Sequence, residues 1–206
     1  MVKYDLFHLT QEDNQQVGGP IQDDEALFLY SLIKGMRIKT VFEIGGLFGY
    51  SAKNFLEAVG EDGFVFTCDI NPVPILEKNH IFLHKNALDI TKDDFDGKTI
   101  ELMFFDCHDY DVQMKVFENF SEHNIINDDT VLVFHDTNTH PQKFFDFAYE
   151  TEEGWIHQTA ERRMVNTLHD RGWNPFCLHT KHSKHSPKFP FRHGITVMTK
   201  FKKFIN

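Results

Sequence analysis

Glu43, Gly45, Gly46, Gly49 and Ser51 stand together in FEIGGLFGYS, a glycine-rich turn between an apolar run and a helix-like one. Glycines one and three apart depart from the G-x-G-x-x-G spacing of dinucleotide-binding turns, so a hydride-transferring enzyme is not expected. The arrangement E-x-G-x-x-x-G instead sets a carboxylate two residues before the first glycine. There Glu43 can accept hydrogen bonds from a cationic amino group of a ligand, and Gly45 lets that ligand lie against the backbone. Asp69 ends the next apolar run, FVFTCD, about twenty residues on, the position from which a carboxylate reaches the two hydroxyls of a ribose. Taken singly, Asp69 reads as a turn former or helix cap; the glycine turn before it favours the ligand.

Two further acids end apolar runs, Asp106 in FFDCHDY and Asp136 in VFHDTN. Neighbouring strands would bring them together at one end of a sheet, and two carboxylates with a nearby amide or hydroxyl make the oxygen site that Mg²⁺ or Ca²⁺ prefers. The alternative has Asp106 closing a pocket and Asp136 capping the next helix. Of 13 histidines, His108 and His135 flank these acids, where an imidazole can take the proton of a reacting hydroxyl. His108 is the preferred base. A carboxylate neighbour favours the charged ring, so the role requires a metal to take up the carboxylate charge.

The elements that must position these residues read as alternating strands and helices around a mostly parallel sheet. Strands are expected near 40–45, 64–70, 81–85, 100–106, 130–135, 174–179 and 194–200. Helices are expected at 23–34, stopped by Gly35, at 50–59, stopped by Gly60, and at 110–122, 142–150 and 155–171. The fold class is thus α/β, a single Rossmann-like domain over residues 1–206, with an N-terminal extension, 1–19, and a long basic loop, 179–194. That loop carries eight Lys, Arg or His and is expected to be a lid over a substrate, the alternative being a disordered surface excursion. His182, His185 and His193 within it could bind an anion or a second metal, or simply be polar.

VFEIGGLFGYSA followed by FVFTCDINP resembles the first two motifs of class I S-adenosylmethionine-dependent methyltransferases. The resemblance spans roughly residues 20–200 and implies a seven-stranded sheet whose last strand is antiparallel, with helices on both faces. By matching position it implies that Glu43, Gly45, Gly46, Gly49 and Ser51 hold the methionine part of the cofactor and Asp69 its ribose. Ala87 and Leu88 would lie by the adenine, and Asp106 would border the same pocket. D-x-H-x-Y and F-H-D-T-N narrow the resemblance to small-molecule O-methyltransferases grouped with macrocin O-methyltransferase and the cephalosporin hydroxylase-like proteins, with catechol O-methyltransferase further off. In the catechol enzyme an acid and an Asp-Asn pair hold the metal, implying Asp106, Asp136 and Asn138 here. Thr137, however, stands in the Asn place and Asn138 comes one residue late. The Lys base of that enzyme has no counterpart, Asp109 occupying its place. The implied activity is methyl transfer from S-adenosylmethionine to a small-molecule hydroxyl, divalent-metal assisted. A cofactor-binding module without methyl transfer, or a hydroxylase-like activity, stays open.

Charge restricts the partners. All 31 acidic residues lie within 1–170, against 13 Lys and Arg, a balance of -18, whereas 171–206 carry eight Lys or Arg and no acid. An acidic body repels nucleic acid, and no N-P-P-Y motif follows the fourth strand, so a nucleic-acid substrate is not expected. The basic segment reads as a solvated edge that balances the acidic body, with an anionic small-molecule acceptor as the alternative. Three cysteines without C-x-x-C spacing argue against a disulfide scaffold and a zinc ribbon. With no ~20-residue apolar window and no apolar leader, a cytoplasmic protein off the membrane is expected, and a homo-oligomer stays open.

Overall fold

The computed structural model describes residues 21, 23–73, 78–137, 148–151, 154–157, 159–178 and 194–200. Seven strands form one sheet: β1 (Thr40–Ile44), β2 (Phe64–Asp69), β3 (His80–His84), β4 (Leu102–Phe105), β5 (Val131–Phe134), β8 (Trp173–Leu178) and β9 (Ile195–Lys200). Their order is β3-β2-β1-β4-β5-β9-β8. β9 runs antiparallel to both its neighbours, and the other pairings are parallel. β6 (Ala148–Thr151) and β7 (Gly154–His157) form a separate antiparallel pair.

Strands β1, β4 and β5 are buried along their whole length. That explains the unbroken apolar runs of β4 and β5, since a parallel strand covered on both faces has no polar side to show; β1, equally buried, carries Thr40 and Glu43 among its apolar residues. Successive residues alternate between two cores. Val41, Leu102, Phe104, Val131 and Val133 face α1 (Asp23–Met36) and α2 (Tyr50–Val59), packing with Leu29, Ile33 and Phe55. Phe42, Met103, Phe105, Leu132 and Phe134 face α3 (Tyr110–Glu122) and α4 (Ala160–Asp170), with Phe120, Met164 and Leu168. The same alternation turns Glu43, within β1, toward α2 and, continued one residue past β5, turns His135 toward α1.

Three expectations for the elements are corrected. The first helix runs through Gly35 to Met36 and stops because Arg37 takes a left-handed conformation (φ 58°). Its turn is closed by Ile38 N–H donating to the Ile33 carbonyl at 3.0 Å, so Arg plays the part usually left to glycine. The helix expected over 142–150 is strand at 148–150; its earlier residues lie outside those described. The helix expected over 155–171 begins only at Ala160, behind a Thr159 cap whose hydroxyl accepts from Arg162 N–H, because 154–157 is the second arm of the β6–β7 hairpin. The N-terminal extension, Asn138 and the loop 179–193 also lie outside the described residues.

Candidate active site

The C-terminal ends of β1, β2 and β4 open onto a cavity of about 530 Å³ whose wall includes Gly45, Asp69, Ala87, Asp106 and His108. That volume lies within the range of small-molecule sites, and the place, beyond the carboxyl ends of parallel strands, is where open α/β sheets bind ligands. Gly45 has φ 90°, and a Cβ on it would lie 2.2 Å from the Asp106 carbonyl oxygen. Only glycine lets the β1 turn pass this close to the end of β4. Asp69 braces the turn from the other side, its Oδ2 accepting from Leu47 N–H at 3.0 Å and its Oδ1 from Asn71 N–H at 2.7 Å.

Glu43 lies beneath the turn rather than on the cavity wall. Its carboxyl group is fully buried, bonded to the Ser51 hydroxyl on one oxygen and to Thr67 Oγ1 at 2.9 Å on the other. Burial outweighs those two hydrogen bonds and pushes Glu43 up to about 8. Glu43 and Ser51 therefore form a buried strut between β1 and α2. Gly49, left-handed at φ 77°, precedes the first turn of that helix. Ala87 lines the cavity and Leu88 does not; Asn86 lines it too, its Oδ1 occupied by Leu88 N–H at 3.0 Å.

Beyond β4 and β5 the acids and imidazoles meet. His135 is fully buried, its Nδ1 3.2 Å from Asp106 Oδ1 and 3.7 Å from Asp136 Oδ1, and its Nε2 3.3 Å from Glu25 Oε2 on α1. Burial opposes a charge on this ring, but Asp106, Asp136 and Glu25 together hold it well above the usual histidine range. His135 thus supports the site from behind and does not line the cavity. His108, half exposed, points Nε2 toward Asp106 Oδ1 at 3.8 Å and Asp136 Oδ2 at 4.0 Å. Its Nδ1 and backbone N–H both meet Glu161 Oε1, at 3.1 and 2.8 Å. The Glu161 hydrogen bond and the two aspartates, working against burial, raise His108 to about 9.

Donor atoms of Asp106, His108 and Asp136 lie within 4.8 Å of one another. Two carboxylates and one imidazole fit a divalent cation chemically. Thr137 is turned away from them: its hydroxyl contacts the Gly194 carbonyl at 3.2 Å and the Thr196 hydroxyl at 2.9 Å.

The family model described as O-methyltransferase matches residues 5–131. The chain belongs to that family. Solved structures agree on the fold. The cofactor-bound Rv0187 from MTB is 15% identical, with a TM-score of 0.62 over 95% of this chain and 89% of the other. The O-methyltransferase from Bacillus cereus in complex with SAH is 13% identical, with a TM-score of 0.59 over 97% and 93%. The O-methyltransferase TomG from Streptomyces achromogenes, involved in tomaymycin synthesis and solved with SAM, is 14% identical, with a TM-score of 0.57 over 98% and 92%. No curated protein matches the chain by sequence. This O-methyltransferase is therefore a class I enzyme that uses S-adenosylmethionine and acts on a small-molecule acceptor. No helix among the described residues is long and apolar enough to cross a membrane.

Sequence reasoning missed Glu25, Gln113 and Glu161. Gln113 Nε2 donates to Glu161 Oε1 at 2.8 Å, and Gly194 N–H donates to Glu25 Oε1 at 2.7 Å. Each of the three is fully buried. The signal was present: each occupies the first position of its helix's apolar stripe, as Glu25 does before Leu29 and Ile33, Gln113 before Val116 and Phe120, and Glu161 before Val165 and Leu168.

Proposed function

We propose that this O-methyltransferase joins the S-adenosylmethionine methyl group to an acceptor hydroxyl beside Asp106 and His108, with a divalent cation seated on Asp106 and Asp136. The observation that carries this is the continuity of one cavity, whose wall runs from Gly45, Asp69 and Ala87 to Asp106 and His108. Gly45 and the Asp69-braced turn hold the methionine end of the cofactor, the Asp69 carboxylate meets its ribose, and Ala87 leaves room for its adenine. Transfer is a displacement: the oxygen lone pair forms the new O–CH₃ bond as the S–CH₃ bond breaks and its electrons return to sulfur. Alignment of the three atoms supplies most of the rate. A cation bound here lowers the pKa of an oxygen it coordinates.

The hydroxyl proton leaves toward the cavity rim, where Asp109 stands; Asp109 Oδ1 caps α3 by accepting from Val112 N–H. With no cation bound, the carboxylates keep His108 charged at neutral pH, which makes the ring a donor there and not the base. The excess of Lys and Arg in 171–206 favours an anionic acceptor.

Titration calorimetry with S-adenosylhomocysteine is the test. Binding should occur without added metal and weaken at least tenfold in Asp69→Ala, and turnover should fall with chelator and recover with a divalent cation. Turnover indifferent to chelator would remove the cation from the reading while leaving methyl transfer intact.

A further inference from the structure

The carboxylate of Glu161 lies at the start of α4, fully buried, with three donors converging on Oε1: the His108 backbone N–H, His108 Nδ1 and Gln113 Nε2. Its other oxygen, also buried, has no partner among the described residues. The Thr159 hydroxyl, capping the same helix, donates to the Asp136 carbonyl. The first turn of α4 thus grips both His108 and Asp136. Those two residues also share a left-handed backbone, at φ 51° and 52°, a conformation that histidine and aspartate enter at some cost and that neighbouring contacts must hold.

The result of this grip is an imidazole whose Nδ1 is engaged and whose Nε2 faces two carboxylate oxygens at 3.8 and 4.0 Å. Both gaps exceed a hydrogen bond. Both are short enough for one cation to span, since metal–ligand bonds of about 2.1 Å bridge donors up to roughly 4.2 Å apart. We propose that His108 is the third protein ligand of the cation site, that Glu161 and Gln113 are its positioning residues, and that the site therefore prefers a transition-metal ion such as Co²⁺ or Zn²⁺ over Mg²⁺. The proposal rests on the metal-assisted reading above and gives it a ligand set. An all-oxygen site suits Mg²⁺; replacing one oxygen by imidazole shifts preference toward Co²⁺ and Zn²⁺. A carboxylate behind the ligating ring fixes which nitrogen faces the metal, and losing such a partner costs about 10- to 100-fold in affinity.

The experiment titrates Co²⁺ and Mg²⁺ separately into the full chain by calorimetry, follows Co²⁺ by its visible absorption, and measures S-adenosylhomocysteine affinity and melting temperature beside them. The wild type should bind one Co²⁺, more tightly than Mg²⁺. His108→Asn should weaken Co²⁺ at least tenfold and change its spectrum while Mg²⁺ affinity moves little. Glu161→Ala should weaken Co²⁺ about tenfold, and Glu161→Gln should recover part of that, with S-adenosylhomocysteine binding kept throughout. Equal Co²⁺ affinity and spectrum in wild type and His108→Asn would overturn the proposal and leave a cation on the aspartates. A wild type that binds S-adenosylhomocysteine but neither metal would overturn both the ligand set and metal assistance, while methyl transfer would stand.

Discussion

Asp69 shows how a residue legible as a ligand contact also does structural work. Its two oxygens accept from Leu47 N–H and from Asn71 N–H, so the carboxylate ties the glycine turn to the end of β2 before any cofactor arrives. Asp69→Asn keeps one carbonyl oxygen for the turn but loses the charge and one acceptor. Methyltransferase activity of this variant should show a raised KM for S-adenosylmethionine, about tenfold or more, with a loss of stability near 1 kcal/mol; a kcat defect at unchanged KM would mean that Asp69 does not meet the cofactor. Glycine spacing and the strand-end acids were readable because their chemistry depends on positions along one chain segment. Glu161 and Glu25 were not, because their meaning comes from which residues another element brings to them. A carboxylate on an apolar helix stripe looks like a flaw in the pattern until His108 or His135 is placed opposite.

At the scale of elements, strands were legible where burial on both faces demands continuous apolar sequence, as in β4 and β5. The β6–β7 hairpin was not, since AYET and GWIH are too short and mixed to separate from a helix by period alone. The short 3₁₀ turn Lys92–Phe95 passed unnoticed for the same reason, yet it carries a central core residue. Phe95 is fully buried and meets Phe42, Phe66 and Phe120 edge-on at centroid distances of 5.2, 5.1 and 5.7 Å. Three side chains from β1, β2 and α3 therefore close around one ring. Phe95→Ala should cost about 3–5 kcal/mol in urea unfolding. A loss under 1 kcal/mol would show that the surrounding rings collapse into the space.

Glu43 connects the whole molecule's stability to pH. The buried strut to Ser51 and Thr67 holds the first strand to the second helix, and burial raises its carboxyl group to about 8 from an ordinary value of 4.5. Between those two values the unfolded chain has released the Glu43 proton and the folded chain has kept it. The folded state then binds more protons, so this group's contribution to stability falls as pH rises through that window and is constant beyond it. The sign is opposite to that of a salt-bridged carboxylate, whose contribution grows with pH. The total lost is on the order of a few kcal/mol. Glu43→Gln stays neutral at every pH and can bond both hydroxyls, so other titrating groups largely cancel when the two proteins are compared. Unfolding free energies measured in urea from pH 5 to 9 should therefore diverge, with the wild type losing ground to the Gln variant up to about pH 8 and the gap level above it. Parallel curves across the range would mean that Glu43 is ionised in the folded protein, and that the glycine turn rests on a buried charge and not on a neutral acid.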